Sequence, residues 1–222
     1  LMQTSVNVLP IRTICQFEGA GVALTLTFLT PALPGEIDLL SRPVTYVTYE
    51  FRATDGAKHK VAFDFDASAE LTVNQGTQQV LGSLLPAGRV GELVGAKVGA
   101  VDQAILGKKG DDIRIDWGHL YLAAPKAQAE ASYSLRNRAS ASQLAQGVAG
   151  DTAIASLAFK SIEVSTKPVS RWLLLAYDDE YSIQYMKKNL RPYWRRNGWE
   201  AADLLKASAQ EYASLSKRCA AF

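Results

Sequence analysis

Val22, Leu24, Leu26 and Phe28 alternate with Ala23, Thr25 and Thr27, a period of two that only an extended chain with one face on a core accommodates. Pro31 and Pro34, which cannot donate to a ladder, end this run. A second run, Val44 to Arg52, is rich in Val, Thr, Tyr and Phe, and Asp55-Gly56 behind it is a hairpin signal because glycine accepts the positive φ such turns need. The returning segment sets Val61, Phe63 and Phe65 against Lys60, Ala62, Asp64 and Asp66, giving one buried and one solvent-facing side. Leu71 to Val73 and Gln78 to Leu81 continue the meander. Strand signals recur around Val90 to Val101, at Ile113, Ile115, Trp117, Leu120 and Leu122, and over Ala153 to Thr166, where Lys160-Ser161 breaks the alternation as a bend or bulge does. Short strands punctuated by Gly and Pro predict a mainly β fold, an antiparallel β-sandwich.

The period changes near the end. Trp172 to Tyr177 is a short apolar run that reads as a buried strand. Beyond it, Asn197 followed by Glu200 has the spacing of a capping box, and Trp199, Ala202, Leu205, Ala209, Tyr212 and Leu215 recur at helical intervals. Lys217 and Arg218 suit the negative end of that helix. Its apolar stripe belongs either on the chain's own sheet or in a helical domain continuing past Phe222. Lys126 to Gly150 is rich in Ala, Ser and Gln, and Ser140 to Gln146 reads as a helical turn or a loop.

Composition narrows the function classes. The 222 residues are 48% hydrophobic and 21% charged, enough apolar material for one large domain or one domain with an appendage. Lys and Arg number 24 against 22 acidic residues, so the concentrated basic stripe of a nucleic-acid binder is missing. No apolar run reaches the roughly 20 residues that span a bilayer. Leu1 to Pro10 lacks a signal-peptide pattern, but the chain starts in mid-pattern without an initiator residue, which leaves export open. Cys15 and Cys219 are expected as separate thiols, although a bridge between them stays conceivable. His59 after a turn and His119 inside a strand-like run are the only histidines, too far apart in sequence to suggest a metal framework, and no cofactor is expected. His119 is readable as a core or a cleft group.

Candidate chemistry concentrates late in the chain. In Tyr177-Asp-Asp-Glu-Tyr181, Asp178 and Asp179 are adjacent carboxylates just after an expected strand, where loops often carry function. Neighbours in an extended segment face opposite ways, so one at most enters a given cleft; the alternative is that one caps the next turn and the other is solvated. Asp116, in a strand-like run beside Trp117, is a third acidic candidate, whereas Asp111 and Asp112 after Gly110 make an ordinary turn signal. Arg191, Tyr193, Trp194, Arg195 and Arg196 form the densest cationic and aromatic cluster. Arginine there could clamp a carboxylate with aromatics walling the pocket, or stack on those rings and pin a connector to the sandwich. Arg191, Tyr193, Trp194 and Trp117 are thus the candidate substrate-binding residues, and Asp178, Asp179 and Asp116 the candidate catalytic ones. No Ser, His and Asp set with recognisable spacing accompanies them.

Gly21-Val-Ala-Leu-Thr-Leu-Thr-Phe-Leu-Thr-Pro31, Ser41-Arg-Pro-Val-Thr-Tyr46, Thr54-Asp-Gly56 with His59, Gly110-Asp-Asp-Ile-Arg-Ile-Asp-Trp-Gly118, Ala176 to Tyr185 and Arg191-Pro-Tyr-Trp194 together resemble, in order and over nearly the whole chain, the glutaminase A family of bacteria and fungi. The resemblance implies a β-sandwich domain over residues 1–167, then a connector and the first helix of a six-hairpin helical domain over 168–222. It further implies a parent amidohydrolase converting glutamine to glutamate and ammonia, with this chain supporting rather than performing catalysis. The implied partners are the helical domain of the same parent protein and glutamine, and the implied location is extracellular or periplasmic. The competing expectation is a carbohydrate- or ligand-binding β-sandwich module, reading sugars through aromatics such as Trp117, Tyr121, Trp194 or Trp199.

Overall fold

The computed structural model describes residues 1–108, 114–135 and 143–222. The strands are β1 (Met2–Leu9), β2 (Arg12–Gly19), β3 (Val22–Leu29), β4 (Val44–Ala53), β5 (His59–Ser68), β6 (Gln79–Leu84) and β7 (Leu93–Ala100), with a one-turn helix α1 (Ile37–Leu40) between β3 and β4. There follow β8 (His119–Pro125), β9 (Ala129–Leu135), β10 (Gln143–Ala149), β11 (Ala153–Val164), β12 (Val169–Asp178), the short pair β13 (Ile183–Tyr185) and β14 (Lys188–Leu190), and the terminal helix α2 (Ala201–Ala220). Nine strands form one antiparallel sheet in the order β1-β2-β3-β4-β12-β8-β7-β6-β10, and β5-β11-β9 form a second. Among the described residues no helix is long and apolar enough to cross a membrane.

The alternation read from the sequence is what stacks the two sheets. Val47, Val98, Leu120, Leu122 and Leu173 on the inner face of the large sheet meet Tyr133, Leu157 and Phe159 of the small one. Tyr49 and Phe159 close on Phe63, with the Phe63 ring centroid 4.5 Å from each neighbour or near it: 4.5 Å from Tyr49 and 4.5 Å from Phe159. Asp55-Gly56 sits in the β4–β5 turn, Gly56 at a φ of +78°. The break expected at Lys160-Ser161 is a register shift in the pairing of β11 with β5, between Phe159 and Ile162. Residues 143–146, read from the sequence as a helical turn or loop, lie in β10, which pairs with β6; residues 140–142 and Asp111 and Asp112 lie outside the described residues. The strand signal at Ile115 to Trp117 resolves differently as well, since β8 begins only at His119.

Val169–Asp178 is an inner strand, held between β4 and β8. The large sheet is therefore completed by residues past the expected 167 boundary. Its outer face carries a second core, in which Tyr46, Tyr121 and Leu174 lie under Leu204, Leu205 and Leu215 of α2. Tyr46 donates to the Ser208 carbonyl at 2.8 Å, the hydroxyls of Thr48 and Tyr212 are 2.8 Å apart, and the Trp172 and Tyr212 rings stack at 4.3 Å. The helical stripe packs on the chain's own sheet. Its start also differs from the expected capping box at Asn197: the N-cap is Glu200, whose N–H is accepted by Asp203 at 3.1 Å.

Candidate functional site

Where α2 ends its cover, the outer face of β6, β7, β8 and β12 lies open, and antiparallel pairing aligns its side chains in rows. Ser83, Lys97, Tyr121 and Ala176 face one another across four strands. The next row holds Leu81 opposite Gly99, and His119 opposite Asp178. Directly opposed residues share a face, so each row works as a unit. Gly99 leaves room for the histidine: a Cβ there would lie 2.6 Å from the His119 ring and 2.5 Å from the Gly118 carbonyl. Gly118, at a φ of +82°, turns the chain into β8 so tightly that a Cβ would meet the Asp178 carbonyl at 2.3 Å.

Two clefts occupy this face. One, of about 370 Å³, runs beneath the start of α2 and is lined by Lys97, Tyr121, Asp178, Glu180, Arg191 and Arg195 among others. The other, of about 400 Å³, lies over Leu81, Gly99, Gln103 and His119. Ser83 and Lys97 line both, which makes the pair a single groove with Lys97 at its middle.

One wall is an ionic chain. Arg195, buried, donates through Nε to Asp178 Oδ1 at 3.1 Å and through Nη2 to Asp178 Oδ2, and through Nη1 to the Trp199 carbonyl at 3.3 Å and to Glu200. Arg191 completes the chain, donating to Glu200 at 3.0 Å. Burial alone would disfavour the Arg195 charge, yet its bonds to Asp178 and Glu200 outweigh that and hold its pKa above the ordinary value. The Glu200 carboxyl is correspondingly lowered, chiefly by Arg195. These four side chains balance one another in charge.

The floor is different. The Lys97 ammonium lies 6.0 Å from the centre of the Tyr121 ring, and among the described residues no carboxylate pairs with it, Asp178 and Glu200 being held by the arginines. His119 Nδ1 is buried with no hydrogen-bond partner and stands 3.5 Å from Glu180 Oε1. Burial, and secondarily Lys97, push the His119 pKa down to about 4, so the imidazole is neutral near pH 7 and this contact is not an ion pair. Tyr121 is shifted up, mostly by burial and then by Asp178. Glu180 reaches its place in the left-handed region, at a φ of +58°, held there by its N–H donating to Asp178 Oδ1 at 3.0 Å. A non-glycine residue in that region is conformationally costly and such residues gather at functional sites.

The candidates read from the sequence separate cleanly. Asp178 enters the groove wall, where it both pairs with Arg195 and caps the turn at Glu180. Asp179 is half-buried beside Gly118 and does not line the clefts. Asp116 is buried elsewhere, paired with Lys108 and accepting from Gln78 at 3.2 Å. Arg191 rims the groove, but Trp194 is buried in the outer core under Arg195, 4.6 Å away, and Tyr193 is an exposed platform for Arg196 at 4.3 Å. Trp117 is a fastening, donating to the Tyr181 carbonyl at 3.2 Å and accepting from Tyr177 at 2.7 Å. His59 binds Asp55 at 2.9 Å in its turn, and both cysteines are free. Lys97 and Ser83, which line both clefts, are not among the candidates the sequence points to. The signal for Lys97 was Gly95-Ala-Lys-Val-Gly99, a cation flanked at every second position by residues without side chains. Among the described residues no group of three His, Cys, Asp or Glu could hold a metal.

Residues 11–222 match the family model described as "Domain of unknown function (DUF5127)". That match overturns the glutaminase A resemblance, and with it the reading as a hydrolase of the amidohydrolase type: the blocks that carried the resemblance fall within the span of a different family. No curated protein matches the sequence. Among solved structures, a provisionally assigned kojibiose phosphorylase from the human microbiome aligns with 91% of this chain at 9% identity and a TM-score of 0.41. The chain spans 23% of that protein's length.

Proposed function

The chain belongs to the DUF5127 family, and from the geometry of its outer face we propose that it is a carbohydrate-binding β-sandwich. The observation that carries this reading is the set of polar groups with unused hydrogen-bonding capacity around one aromatic ring: Lys97, Ser83, His119 and Glu180 beside Tyr121. A sugar presents hydroxyl groups that donate and accept, together with weakly apolar C–H faces. The groove offers the matching parts: an ammonium donor, a neutral imidazole, a serine hydroxyl, a carboxylate acceptor and a phenol whose ring is apolar and whose tip is polar. Each cleft falls within the roughly 300–1,000 Å³ common to small-molecule sites.

The ionic chain supports binding rather than bond cleavage. Asp178 is held in a two-point bond to Arg195, and Glu200 is shared between two arginines, so both serve as fixed walls. Saturable binding of an oligosaccharide by isothermal calorimetry, weakened about tenfold or more by Tyr121→Ala, is the expected result. Binding that Tyr121→Ala leaves unchanged would place any sugar site elsewhere on the molecule.

A further inference from the structure

We propose that the groove selects an acidic glycan, with the carboxylate of a uronic acid unit seated on Lys97; this rests on the carbohydrate-binding reading. Charge in the groove is unevenly matched. Arg195 and Arg191 are held by Asp178 and Glu200, whereas the Lys97 ammonium lies among Tyr121, Ser83 and His119 with no carboxylate partner among the described residues. The remaining carboxylate of the region, Glu180, is tied by its backbone to Asp178 and turned toward His119 Nδ1. Two free charges of opposite sign thus stand apart on one surface.

A half-buried ammonium gains most from a ligand that supplies a charged acceptor, because a hydrogen bond between ionised partners is about twice as strong as one between neutral groups. Glu180 and the edge of the His119 imidazole that lines the second cleft suit hydroxyl groups of a neighbouring unit instead. The location of Lys97 gives the ligand its shape. It lines both clefts, so a chain seated on it continues into each, toward His119 on one side and toward the Arg191 and Glu200 rim on the other. Gly99 keeps the floor of the second cleft low, since any side chain there would collide with the His119 ring.

The test compares a short galacturonate oligomer, a neutral galactose oligomer of the same length and inorganic phosphate, each titrated into the protein and into Lys97→Met, Lys97→Arg and Glu180→Gln. Tighter binding of the acidic oligomer is expected, with a roughly 10- to 100-fold loss in Lys97→Met and substantial retention in Lys97→Arg. The neutral oligomer should lose far less than the acidic one in Lys97→Met, since a single neutral acceptor is lost in place of a charged one, and the acidic oligomer should lose far less in Glu180→Gln than in Lys97→Met. Acidic-oligomer binding unaltered by Lys97→Met, with neutral binding intact, would overturn the charge assignment while the carbohydrate reading stands. Failure of both oligomers to bind would overturn both. Phosphate binding as tightly as the acidic oligomer would show an anion site without glycan selection and so contradict the proposal.

Discussion

Asp178 and Arg195 are the residues on which this surface most depends. Each side chain is nearly inaccessible, at 3% and 2% exposure, so neither charge is solvated if the other is removed. Arg195→Met should therefore cost about 3–5 kcal/mol of stability in chemical denaturation, the range for leaving one member of a buried pair uncompensated. Replacing both, as Asp178→Leu with Arg195→Met, should recover part of that loss. His119 provides a second residue-scale expectation with a definite sign. Its folded pKa of about 4 lies below the unfolded value of 6.5, so between these values the unfolded chain binds the extra proton. The stability this neutral histidine contributes is present above pH 6.5 and is lost as pH falls toward 4, an effect of about 3 kcal/mol at most. Thermal transitions measured across that window should fall more steeply for the parent than for His119→Gln.

At the scale of elements, α2 is part of the sandwich's outer layer. Leu204, Leu205 and Leu215 are almost wholly buried, and Tyr46 reaches across to its backbone at Ser208. Leu205→Ala should cost about 2–5 kcal/mol, as a large-to-small change in a packed core does, and removal of residues 197–222 should abolish the cooperative transition or lower it sharply. An unchanged transition would mean that the helix contributes nothing to the sheet beneath it. The sequence announced these elements unevenly. Strong alternation at 22–28 and 60–67, and helical spacing from Trp199 to Leu215, marked β3, β5 and α2 because one face of each is apolar. The β1–β2 hairpin gave a weaker signal, since β1 is exposed on both faces and no burial pattern is imposed on it. The sequence gives no strand signal for β10, because an Ala, Ser and Gln composition fits a loop or helix as readily as a strand.

For the molecule as a whole, the surface with functional promise arises from strand order. Ser83, Lys97 and Tyr121 are separated by long stretches of sequence and become neighbours only because β6, β7 and β8 pair in that register. The late Tyr177 to Arg196 segment was legible as a candidate by its density of charge and aromatics, and it supplies the wall through Asp178, Glu180, Arg191 and Arg195. What stayed hidden was the floor, which no local spacing encodes. The same geometry separated the aromatic candidates: Tyr121 lines the groove, while Trp194 is packed away and Trp117 fastens a loop. The most direct test of a sugar-binding outer face is an amide and side-chain NMR titration with oligosaccharide. Saturable shifts confined to Ser83, Lys97, His119, Tyr121 and Glu180 are the expected result; no saturable shifts, or shifts confined to the opposite sheet, would contradict it.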